Sequence, residues 1–147
     1  MTRILGLDYG DKKVGVAVSD LLGITAQSLT IIFFKNEKEL IEKIKAIVDE
    51  RKIEKIVVGL PKNMNGSIGF RGEKTLKFVE ALKEEFKETD VLTLDERLST
   101  VSSKNLMIET GVKQKDKKKK EDKIAASFIL QTFLDSNRER LSTNQLP

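Results

Sequence analysis

Residues 4–20, ILGLDYGDKKVGVAVSD, constrain the fold most: two apolar runs, Ile4–Tyr9 and Val14–Ser19, lie either side of the short stretch Gly10 to Lys13. So short a link makes a hairpin of antiparallel neighbours, because a parallel pair needs a crossover of a dozen residues or more. The first run closes on Asp8 and Tyr9. A carboxylate at the end of a buried strand is costly unless something positive meets it. Its partner must come from elsewhere in the chain or from a bound ion.

Three more strand-like runs follow, at Leu29–Phe34, Lys55–Leu60 and Val91–Asp95. Helical spacing separates them. Leu40, Ile41, Ile44, Ile47 and Val48 recur at i, i+3, i+4 and i+7, with Lys and Glu opposite. Leu76, Val79, Leu82 and Phe86 do the same within Gly72 to Lys87. A short helix is expected from an N-cap at Ser99 to a stop before Gly111. A last helix is expected from about Glu121 to Ser136. Three strands, then alternating helices and strands, predict an α/β fold. Its five-stranded mixed sheet has the first three strands antiparallel, the later ones parallel to the first, and helices on both faces. At 147 residues and 39% hydrophobic, the chain supports one domain, taken as 1–137, with a polar tail at 138–147.

Composition excludes much chemistry. The chain has no His and no Cys, which removes Ser-His-Asp and Cys-His catalysis and makes a zinc site untenable. An enzyme of this composition must work with carboxylates, Lys, hydroxyls and hard, oxygen-bound metals. The lack of Cys, of a signal sequence and of a long apolar run leads to the expectation of a cytoplasmic protein without membrane partners.

Ligands of such sheets gather at the carboxyl ends of the parallel strands. There the topology places Asp8, the loop GLPKNMNGS after the fourth strand, and DERLST after the fifth. Asp8 alone could be a turn cap. Asp95 and Glu96 could be a surface pair with Arg97, and alternation turns them to opposite faces. Asp122, ahead of Ala125 and Ala126, could merely compensate a helix dipole. Together, converging carboxylates repel and call for a cation. Mg²⁺ or Mn²⁺ suits such oxygens, and a pair of these ions can drive phosphodiester cleavage.

Cations complete the pattern. The Gly-rich loop ends on Arg71, placed to help backbone N–H groups hold a phosphate, although the spacing of a P-loop is missing. Arg97 is grouped with it as a nucleic-acid contact. Between Lys113 and Lys123 there are seven Lys, including Lys117, Lys118, Lys119 and Lys120. That run reads either as a solvated loop or as an arm on phosphates.

The stretches ILGLDYGDKKVGVAVSD, VVGLPKNMNGS, DERLST and KKKKEDKIAASFILQTFLD, in this order, resemble the YqgF/RuvX family over almost the whole chain. The resemblance implies an RNase H-like fold related to RuvC Holliday junction resolvases. It also implies a metal-dependent nuclease acting on precursor 16S ribosomal RNA at its 5′ end, or on branched DNA. By the same resemblance Asp8, Glu96 and Asp122 are the catalytic and metal-holding acids, with Asp95 in reserve. The chain departs from the family pattern at Glu121, where relatives often carry an apolar residue. A homodimer is left open. Two other readings compete: a catalytically idle RNA-binding or ribosome-assembly factor, and half of a sugar-kinase or actin-like ATPase. The second needs a related partner domain for which 147 residues leave no room.

Overall fold

In the computed structural model, which describes residues 3–98 and 124–137, the opening hairpin forms as read. Strands β1 (Arg3–Tyr9) and β2 (Lys13–Ser19) are antiparallel, with Leu5 opposite Val18 and Asp8 opposite Gly15. Gly10 N–H donates to the Lys13 carbonyl at 2.9 Å and closes the turn. Strand β3 (Ala26–Phe33) pairs antiparallel with β2. It starts three residues earlier than the apolar run, at Ala26. Strands β4 (Ile53–Leu60) and β5 (Asp90–Asp95) run parallel to β1, giving the order β3-β2-β1-β4-β5.

The helices divide by face. Helix α1 (Glu37–Arg51) starts where the Asn36 side chain accepts the Glu39 N–H at 2.9 Å, and it stops at Lys52 in the left-handed region. Helix α2 (Phe70–Glu85) begins two residues before the expected Gly72. Leu40, Ile44 and Val48 of α1 join Phe78, Val79 and Leu82 of α2 over Leu5, Leu7, Ile56 and Val58. Helix α3 (124–137) covers the other face, where Ala126, Ile129, Leu130 and Leu134 meet Ile4, Ala17 and Val57. A mixed sheet with helices on both faces is therefore the architecture. The expected helix from Ser99, the Lys run and the tail lie outside the described residues. Among the described residues, no helix is long and apolar enough to cross a membrane.

Strand alternation fixes what each end carries. Leu5 and Leu7 point towards α1 and α2, so Ile4, Gly6 and Asp8 point towards α3. Tyr9 turns back to the first face and stacks on Phe78 at 4.3 Å, with Phe34 at 6.4 Å. That stack holds the end of β1 and leaves Asp8 on the α3 side.

Candidate active site

On β5 the same alternation puts Val91 in the α1/α2 core and Leu94 against α3. Glu96, one residue beyond the strand, shares Leu94's side and so faces the same way as Asp8. Its backbone N–H donates to the Leu60 carbonyl at 3.0 Å, which prolongs the β4–β5 pairing past Asp95. One strand, β4, separates β1 from β5, and the Glu96 side chain crosses it at Gly59. A Cβ on Gly59 would come within 2.8 Å of Glu96 Cγ and Oε1, and within 2.5 Å of Ile129 Cδ1. No other residue leaves that space.

The Glu96 carboxyl reaches Asp8 and hydrogen-bonds to it. Burial first, then that hydrogen bond and the charge of Asp8, push Glu96 up from an ordinary 4.5 to about 8. Two carboxyls in hydrogen-bond contact hold a proton between them. Arg71 lies near enough for its charge to pull the other way. Two facing acids that must share a proton form a site short of positive charge.

Asp95 does something different. Its carboxylate takes Arg97 Nε and Nη2, the latter at 2.6 Å, and accepts the Arg97 N–H at 3.0 Å. Hydrogen bonding from Arg97 holds Asp95 below the usual carboxylate range. The alternation argument therefore separates the two acids correctly, and the space over Gly59 admits Glu96.

Arg71 sits in the first turn of α2 and lines a cavity of about 120 Å³ with Tyr9, Gly10, Asp11, Lys74 and Thr75. Lys74 Nζ lies 3.3 Å from Asp11 Oδ1 and 4.7 Å from the centre of the Phe70 ring, so α2 is tied to the β1–β2 turn. The loop before α2 is built as a tight turn: Asn63 N–H donates to Ser67 O at 2.9 Å, and Gly66 N–H to Asn63 O at 2.9 Å. Arg97 Nη1 donates to the carbonyls of Met64 at 3.3 Å and Asn63 at 3.5 Å.

Asp8, Glu96 and Arg71 are thus brought together at the strand ends. Arg97 stands beside them with its fork committed to protein groups. Asp122 and Lys117 to Lys120 lie outside the described residues. Among the described residues, no three acids are gathered as a metal cage. Sequence reasoning missed Gly59. Its signal was there, since a Gly inside an apolar strand run marks close approach of another group.

The chain is similar to known proteins over most of its length. A family model described as RuvX, Holliday junction resolvase, matches residues 2–136. A protein of Acetivibrio thermocellus named "Putative pre-16S rRNA nuclease" is 45% identical over 135 residues, covering 91% of this chain and 96% of that one. One of the same name from Clostridioides difficile is 51% identical over 133 residues, covering 90% and 94%. Among solved structures, T. thermophilus RuvC in complex with a Holliday junction substrate aligns with TM-score 0.57 at 11% identity, covering 97% of this chain and 98% of that one. The fowlpox virus Holliday junction resolvase aligns with TM-score 0.53 at 18% identity, covering 92% and 99%. Those two likenesses establish the shared fold.

Proposed function

On the premise that the chain belongs to the RuvX family, we propose that it is a metal-dependent endonuclease that hydrolyses phosphodiester bonds in structured nucleic acid. The observation that carries this reading is the Asp8–Glu96 pair, two acids converging at the carboxyl ends of β1 and β5 and forced to share a proton. The donor set fits Mg²⁺ or Mn²⁺: it is all oxygen, and the whole sequence offers no His or Cys for a softer metal. Asp8, Glu96 and Asp122 would hold the ion. In sequence Asp122 stands two residues before Ile124, the first described residue of α3, and Ala126 of α3 packs over Gly6, two residues before Asp8. There such an ion would supply the chemistry of activating a water and stabilising the leaving oxygen.

The chain's own residues do the rest. Glu96, once its proton has passed to solvent, would serve as a ligand, and Asp8, held by the Tyr9 stack, stays on the α3 side. Arg71, beside both acids, meets the phosphate that enters between them. Lys117, Lys118, Lys119 and Lys120 contact phosphates further along the substrate. Precursor 16S rRNA is preferred to branched DNA, because the proteins at 45% and 51% identity carry the rRNA name whereas the resolvase structures are 11% and 18% identical. Residues 1–137 make the nuclease unit, working in the cytoplasm, alone or as a homodimer, with 138–147 as a polar tail.

The test compares cleavage of a precursor 16S rRNA 5′ fragment and of a four-way DNA junction, with Mn²⁺ and with chelator. The wild type should cut the RNA only with metal. Asp8→Asn, Glu96→Gln and Asp122→Asn should each abolish cutting while binding is retained. Mn²⁺ should raise the melting temperature of the wild type and not of Asp8→Asn. Binding without cleavage by the wild type would make the protein an idle RNA-binding factor instead.

A further inference from the structure

Arg97 uses both edges of its guanidinium within the protein. One edge, Nε and Nη2, forms a fork on Asp95, with Nη2 at 2.6 Å from Oδ2. The other, Nη1, reaches the carbonyls of Asn63 and Met64 in the loop between β4 and α2. The Asp95 carboxylate also accepts the Arg97 backbone N–H, which closes a turn around the residue between them, Glu96. An exposed ion pair of a single Lys would matter little. A bidentate Arg fork that also ties down a loop is a different object, because the planar group fixes direction as well as distance.

Both ends of this tie lead to the site. At one end stands Glu96. At the other, the turn from Asn63 to Ser67 leads into Gly69, which caps α2 with the Asn63 side chain against it. Arg71 follows two residues later in the first turn of α2. We infer that Arg97 is a positioning residue: through Asp95 it locks the 61–69 loop to the end of β5, and so sets Glu96 and Arg71 against each other before substrate arrives. It gives Arg97 an internal role where the sequence reading expects a nucleic-acid contact. It rests on the nuclease reading for its catalytic consequence, though not for the lock itself.

The experiment uses the full chain with Arg97→Ala, Arg97→Lys and Asp95→Asn. Amide hydrogen exchange without nucleic acid reads the lock. The Asn63 and Gly66 amides should exchange about tenfold faster in all three variants, since the turn they close is no longer held. On the RNA fragment with Mn²⁺, kcat should fall about 10²-fold in each, because misplaced groups lose proximity rather than binding. Affinity in chelator should stay within about twofold. Asp95→Asn combined with Arg97→Ala should be no worse than either alone, the sign of one shared device. Guanidinium ion should restore part of the Arg97→Ala rate, and methylammonium at equal ionic strength should not.

Opposite results overturn the inference. Unchanged exchange at Asn63 and Gly66 removes the lock, whatever happens to cleavage. Weakened affinity with a salt slope reduced by about 0.7–0.9 would make Arg97 a phosphate contact after all. A wild type that cuts nothing, with exchange accelerated in the variants, would sink the nuclease reading and leave the lock standing.

Discussion

The two faces of the sheet are built on opposite plans. On the α1/α2 face the layer is thick: Phe78, Leu82, Leu40 and Ile44 fill the space over Leu5, Leu7 and Ile56, and Tyr9 stacks on Phe78. On the α3 face the layer is thin. A Cβ on Gly6 would lie 2.8 Å from Leu130 Cβ and 3.1 Å from the Ala126 carbonyl, and Ala17 and Ala126 are wholly buried. Large side chains supply apolar area, and area supplies stability. Missing side chains supply close approach, which sets positions to fractions of an ångström. The acids sit on the thin face, where position is what the sheet provides.

Breaking the thick face should cost stability without touching chemistry. Leu82→Ala should lose about 2–5 kcal/mol to denaturant, while kcat of the folded fraction stays near wild type. Breaking the thin face should do the reverse. Gly59→Ala places a methyl where Glu96 crosses, so kcat should fall about 10²-fold for a stability loss of about 1–3 kcal/mol. If Gly59→Ala unfolds the protein and Leu82→Ala silences it, the division of labour between the faces is wrong.

A third expectation concerns pH. Glu96 holds its proton more tightly in the folded chain, about 8, than the ordinary 4.5 of an unfolded one. Its contribution to stability is therefore full below about 4.5 and is lost as pH rises through about 8. Without metal, the wild type should melt at lower temperature at pH 8 than at pH 5. Glu96→Gln should flatten that difference. A wild-type curve that is flat, or that rises, would remove the shared proton from the account. The smallest effect belongs to the thick face again: Asn36→Ala should cost about 1 kcal/mol through the lost cap on α1 and leave cleavage unchanged.

Legibility in the sequence followed the same division. Strands β1, β2 and β4 announce themselves through dense apolar runs, because both of their faces are covered. The start of β3 does not. Ala26, Gln27 and Ser28 carry no apolar alternation, and Ala26 is held by donating its N–H to Gln131 Oε1, a contact from 105 residues away. Likewise Gly72 reads as a helix boundary, yet it lies inside α2, where a Cβ would strike the Pro61 carbonyl at 2.7 Å. Alternation could say that Asp95 and Glu96 differ. Choosing between them needed family resemblance, because the deciding fact is an empty volume on a neighbouring strand. Absent side chains leave no periodicity to read.

The strand register also bears on the order in which the chain folds. Asp8 finds its place in the β1–β2 hairpin, opposite Gly15 and only seven residues away, a local pairing that forms early. Glu96 arrives through β4 and β5, where Leu60 meets Asp95 across 35 residues of chain. With that separation, the crowded encounter of the two acids is expected to follow assembly of most of the sheet. An interaction made after the transition state leaves the folding rate alone and appears in the unfolding rate. Raising the pH should therefore steepen escape from the native state while the rate of reaching it hardly moves, an asymmetry that a chevron plot at pH 5 and at pH 8 would display.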